Sequence, residues 1–143
     1  MGFETPVTGY VSIDGEPLTG GCIAHLRRNM AFAPSSLDTV GQIVKYEPPH
    51  PTDILSLRAN RRIKANATDI EEECHRTGTT GQKALLLSMA ALRRTPVLVV
   101  DSPDGASACY LHELATQQGC TVIVATDDPT VIGQADSITD ISP

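Results

Sequence analysis

From Gln82 to Arg94 the chain carries Lys83, Ala84, Leu85, Leu86, Leu87, Met89, Ala90, Ala91 and Leu92 with no β-branched side chain among them, which predicts a helix. Thr79 or Thr80 is expected to cap its start, and Arg93 and Arg94 to lie in its last turn, where cations favour the helix dipole. Pro96 lacks the N–H that a further turn would need. Val97 to Val100 then forms an apolar run without polar alternation, as in a parallel strand covered on both faces. Asp101 emerges at that strand's carboxyl end, the edge where open α/β sheets place their ligands. Met30 to Pro34 is a shorter apolar stretch, and Thr121 to Thr126 reads as a second buried strand ending in Asp127, Asp128 and Pro129. Between them, Ser107 to Gln118 predicts a helix with Ala108, Leu111, Leu114 and Ala115 on one face, ended by Gly119. Near the start, the alternation of Tyr10, Val11, Ser12 and Ile13 before Asp14-Gly15 predicts a strand, a tight turn and a second extended segment.

The middle of the chain is different. Pro48, Pro49 and Pro51 interrupt regular structure and read as a linker. From Thr52 to Arg76 the sequence is polar and helix-compatible, with Ile54, Leu55, Leu57, Ile63 and Ile70 as its apolar points. The run Asp69, Glu71, Glu72, Glu73 is expected to be a solvated helix face. Cys74-His75 lies beside it with no further group at metal-ligand spacing.

The stretch Gly78 to Pro103, GTTGQKALLLSMAALRRTPVLVVDSP, resembles the ATP-binding cassette (ABC) ATPases. There a signature loop, usually LSGGQ, opens a helix that leads through a Pro-containing turn into the Walker B strand, which ends in Asp-Glu-Pro. GTTGQ stands for the signature and VLVVDSP for Walker B, and the 18 residues between Gln82 and Asp101 fit the family spacing without a gap. On this resemblance Gly2 to Leu18 follows the Walker A helix, and Met30 to Pro34 is the strand into the Q-loop, with Ser35 in the glutamine's place. Leu37 to Val44 leads towards the helical subdomain, TVIVAT is the switch strand, and Ala135 to Ile141 is the closing strand. The family's fold then implies a mainly parallel α/β sheet of P-loop NTPase type, with strands near Met30–Ala33, Val97–Val100 and Val122–Ala125, flanking helices and a small helical insertion. One domain over residues 1–143 is expected, with 45–95 as the helical subdomain region.

The departures from the family bear on chemistry. No G-x-x-x-x-G-K-[ST] occurs in the 143 residues, so they contain neither the backbone cradle nor the lysine that hold the β- and γ-phosphates. Ser102 takes the place of the catalytic glutamate and cannot serve as the base beside an attacking water. Asp127 takes the place of the switch histidine and would set a negative charge against the γ-phosphate, a repulsion on the order of several kcal/mol at about 4 Å and a surface-like dielectric. A serine at position 35 is too short to reach a metal-bound water as the Q-loop glutamine does.

Thr79, Thr80, Gly81 and Gln82 keep part of the signature loop, and the resemblance implies that they would close on ATP held by a partner subunit. A third reading uses the acids Asp101, Asp104, Asp127 and Asp128: if the two strands are neighbours, Asp101 and Asp127 could share a divalent cation in a metal-dependent enzyme. Asp104 is more simply a turn former, and Asp128 the structural acid before Pro129.

Composition narrows the partners. A length of 143 residues with 41% hydrophobic content supports one domain with a core, and a net charge of −6 disfavours nucleic acid and anionic membrane surfaces. No apolar run approaches the roughly 20 residues that span a bilayer, and MGFETPVTG has no signal-peptide character, so a cytoplasmic chain is expected, at most peripheral to the inner face of the membrane. Cys22, Cys74, Cys109 and Cys120 form no C-x-x-C pair and are expected to be reduced. The function that follows is a degenerate, non-hydrolysing ABC-type subunit or remnant, acting on another ABC protein or as a homo-oligomer. It needs no cofactor of its own, and ATP with Mg²⁺ would bind only together with a partner subunit. The alternatives are an ATPase active only in a heterodimer and the metal-dependent enzyme.

Overall fold

The structure is a computed structural model that describes residues 6–13, 15–36 and 65–141. Strands β1 (Ser12–Ile13) and β2 (Glu16–Pro17) pair antiparallel around Gly15, whose φ of 81° supplies the turn. Helix α1 (Gly20–Arg28) follows, with His25, Arg27 and Arg28 in its last turn, and leads directly into β3 (Met30–Ala33). Helices α2 (Ala67–Arg76) and α3 (Gly81–Ala91) pack on each other. Then come β4 (Val97–Asp101), a 3-10 turn over Gly105–Ser107, α4 (Ala108–Gln118), β5 (Thr121–Ala125) and the short α5 (Pro129–Ile132).

The three longer strands form one parallel sheet in the order β3-β4-β5, with Ala33 opposite Val100 and Val100 opposite Val124. This is the mixed α/β architecture the patterning predicts. One face carries Ala31, Ala33, Leu98 and Val100, buried against Leu87 and Ala90 of α3 and Tyr110, Leu111 and Leu114 of α4. Removing such apolar area from water drives the assembly at about 25 cal/mol per Å². The residue after α4, Gly119, adopts φ 64° and ends it in the left-handed conformation.

Several expectations are corrected. β5 is not a buried strand: its residues alternate between exposed and half-buried, and Ile123 remains 51% exposed. In β4 the covering is one-sided, since Leu98 and Val100 are buried whereas Val97 and Val99 are half-buried. Helix α3 ends at Ala91, so Arg93 and Arg94 lie in the turn beyond it, and Arg94 takes φ 48° to redirect the chain towards β4. Ala135 to Ile141 forms no strand, and Ile138 and Ile141 are solvent-exposed. Glu73 does not lie on a solvated face but is buried at the α2–α4 junction. Asp69 caps the start of α2, accepting from the Asn66 N–H at 2.9 Å while its own N–H donates to Asn66 Oδ1. The stretch Leu37 to Val44, the prolines at 48, 49 and 51, and residues 52–64 lie outside the described residues.

Candidate functional site

The carboxyl end of β4 faces the loop that opens α3. Gly78 holds φ 74° there, and a Cβ on it would stand 2.4 Å from the Ala106 carbonyl oxygen, so glycine is required for the two loops to meet. Thr79 then reaches across: its hydroxyl donates to Asp104 Oδ2 at 2.7 Å. Lys83, one turn into α3, donates to Asp104 Oδ1 at 2.6 Å and to the Ser102 carbonyl at 3.2 Å. Lys83 in first place and Thr79 after it hold the Asp104 carboxyl below its ordinary range. Asp104 is thus more than a turn former. It clasps the loop that opens α3 to the loop after β4 of the same chain.

Asp101 occupies the strand end, half-buried, where the sequence predicts it. Ser35 Oγ donates to one carboxylate oxygen at 2.8 Å, and Ser102 Oγ to the other at 3.1 Å. Ser35, too short to span a nucleotide pocket, thereby gains a local partner. Ser102 takes φ 46°, an uncommon conformation for a residue with a side chain. β4 and β5 are neighbours, with Asp101 opposite Ala125, and Asp127 follows β5 at an exposed position. Among the described residues no three His, Cys, Asp or Glu side chains come together as metal ligands would. The space between Ser35, Thr79, Lys83 and Asp101 is a narrow cleft.

Of the signature-like residues, Thr80, Gly81 and Gln82 are exposed and Thr79 is half-buried. Thr80 is the N-cap of α3 by position, although its side chain makes no capping hydrogen bond. Asp128 caps α5 by accepting from the Thr130 N–H at 2.8 Å, and that bond leads the causes that lower its carboxyl pKa. Its carboxylate also lies where a Cβ on Gly105 would be, at 2.9 Å, which fixes the 3-10 turn against α5. Lys83 is the site residue that sequence reasoning missed. Its position in the helix gives only a good helix former, although one turn after a signature-like loop it can reach the loop beyond β4.

Away from this edge, Tyr110 donates to buried Glu73, and Arg76 pairs with Glu73 at 3.0 Å and Glu113 at 2.6 Å, with its guanidinium 5.7 Å from the Tyr110 ring centroid. Burial first, then the hydrogen bond to Glu73, pushes the Tyr110 phenol upward. The four cysteines are free thiols.

No family model and no curated protein matches the chain. Among solved structures it is similar to CbiO1 from Clostridium perfringens, described as part of the ABC transporter complex CbiONQ, with a TM-score of 0.50 and 18% identity over 89% of this chain. The match covers 59% of the CbiO1 chain. The α/β fold, with its parallel three-stranded sheet and flanking helices, therefore resembles that of an ABC ATPase. No helix among the described residues is long and apolar enough to cross a membrane.

Proposed function

We propose that the chain is a degenerate ABC-type ATPase subunit or remnant that does not hydrolyse ATP and acts through contact with another ABC transporter protein. The observation that carries this reading is the end of β4: Ser102 follows Asp101 where the family has its catalytic glutamate, and its hydroxyl is turned onto the Asp101 carboxylate. A serine so placed offers no base to an attacking water. Asp127 adds a negative charge at the place of the switch histidine. The fold likeness supports an ABC-related role, and CbiO1 belongs to a transporter complex. A partner also answers a packing need, because the sheet face bearing Phe32, Val97, Val99 and Ile123 is only partly covered.

A second reading, in which the chain completes ATP bound by a partner, rests on the exposure of Thr80, Gly81 and Gln82 at the start of an eleven-residue helix. Thr79 contributes less to it, since its hydroxyl is already committed to Asp104.

Calorimetry with Mg-ATP and a phosphate-release assay on the purified chain test the first reading. No turnover and no micromolar binding are expected, and steady turnover with micromolar affinity would overturn it. If adding the chain to a competent ABC ATPase raises phosphate release, and Gly81→Asp removes the gain, the second reading replaces the first.

A further inference from the structure

A cavity bordered by described residues lies at the opposite end of the sheet from Asp101. It has a volume of about 610 Å³ and opens between the end of α3, the chain entering β4 and the Gly119-Cys120 turn before β5. That volume falls within the roughly 300–1,000 Å³ usual for small-molecule sites. Its apolar wall comes from Ala90, Leu92, Pro96, Leu98 and Leu114.

Its charge is unusual for a chain of net charge −6. Two arginines line it. Arg76 is neutralised by Glu73 and Glu113. Arg94 is exposed at the rim, and its guanidinium has no ion pair or hydrogen bond among the described residues. It stands at φ 48°, where a glycine would hold the turn with less strain, and the Arg94 N–H donates to the Ala91 carbonyl. The neighbouring Cys120 thiol is pushed upward by burial, so it stays neutral near pH 7 and adds no repelling charge.

We infer that this cavity is a binding site for a small monoanionic carboxylate with an apolar body, its carboxylate held by Arg94 and its body against Leu92, Leu98 and Leu114. The guanidinium fork matches a carboxylate in bidentate fashion. A dianion such as a phosphate monoester is less suited, because a single unpaired cation would face the carboxylates of Glu73 and Glu113 nearby. The site is remote from the signature-like loop and does not depend on the ABC-type reading.

Benzoate titrated into the ¹⁵N-labelled protein tests this, with benzyl alcohol as the uncharged counterpart. Saturable shifts are expected at the amides of Arg94, Thr95, Gly119 and Cys120, with benzyl alcohol binding about tenfold more weakly. Arg94→Gln should weaken benzoate about tenfold as well, and Arg94→Gly, which relaxes the turn and keeps the fold, should do the same. Shifts that do not saturate, that map to Val99 and Ile123 instead, or that persist unchanged in both variants would overturn the assignment.

Discussion

The hydroxyl of Tyr110 on α4 donates to the carboxylate of Glu73 on α2, 37 residues earlier in sequence, joining the two helices through one buried polar contact. Arg76 closes the group by pairing with the same carboxylate from the next turn of α2. Removing the phenol oxygen would leave a buried carboxylate short of a donor, and that loss exceeds the net worth of an ordinary hydrogen bond. Tyr110→Phe is expected to destabilise the chain by about 1–3 kcal/mol, read from the urea midpoint. An unchanged midpoint would show that water or Arg76 satisfies Glu73 without the tyrosine.

Gly78→Ala and Gly119→Ala separate backbone strain from collision. Both positions have positive φ, but a Cβ at Gly119 meets nothing within 4 Å, whereas at Gly78 it meets the Ala106 carbonyl at 2.4 Å. The Gly119 variant should lose about 1 kcal/mol, and the Gly78 variant about 2–4 kcal/mol. Equal losses in chemical denaturation would mean that the two loops separate freely.

Asp104 predicts a pH dependence. Its folded pKa lies below the unfolded value, so the contribution is present above an unfolded pKa of about 3.9 and is lost as pH falls through the lower folded value. Both partners are more than a third exposed, at 39% for Lys83 and 44% for Asp104, so the coupling is worth only about 0.5 kcal/mol after solvent screening. A double-mutant cycle of Lys83→Met and Asp104→Asn should show that coupling at neutral pH and none in strong acid. A coupling that persists in acid would contradict the assignment.

The two faces of the sheet should respond differently to truncation. Leu98→Ala removes a side chain that is 2% exposed and is expected to cost about 2–5 kcal/mol, whereas Ile123→Ala, at 51% exposed, should cost less than about 1 kcal/mol in the dilute chain. If light scattering finds an assembly and the Ile123 cost grows with protein concentration, the partly covered face is where the copies meet.

Much of this arrangement is legible in the sequence, for reasons particular residues show. The apolar run Val97–Val100 between Pro96 and Asp101 fits one strand, and Gly119 after Leu114 and Ala115 marks a helix end that the left-handed φ bears out. Helix α1 escapes notice because Gly20 and Gly21 occupy its first turn, where propensity argues against a helix. TVIVAT reads as buried because an apolar run looks the same whether one face or two are covered. The acid run at 69–73 gives no local sign of which carboxylate turns inward, since Tyr110 selects Glu73 through tertiary packing. The Asp104 clasp is hidden for the same reason: Thr79 and Lys83 look like a cap and a helix former until Gly78 brings their loop onto Ala106.

The sheet order also has a kinetic side. β4 and β5 are joined by one helix and pair with each other, while β3 reaches β4 only across residues 34–96. Closing that longer loop costs roughly 1 kcal/mol more in chain entropy, so the β4–α4–β5 unit is expected to assemble first and β3 to dock last. Paired with β4 alone among the described strands and joined to it by the longer connection, β3 is also expected to part from β4 before β5 does. Amide exchange should therefore release Ala31 and Ala33 before Leu98 and Val100, and the reverse order would place the folding nucleus on the long-range pair.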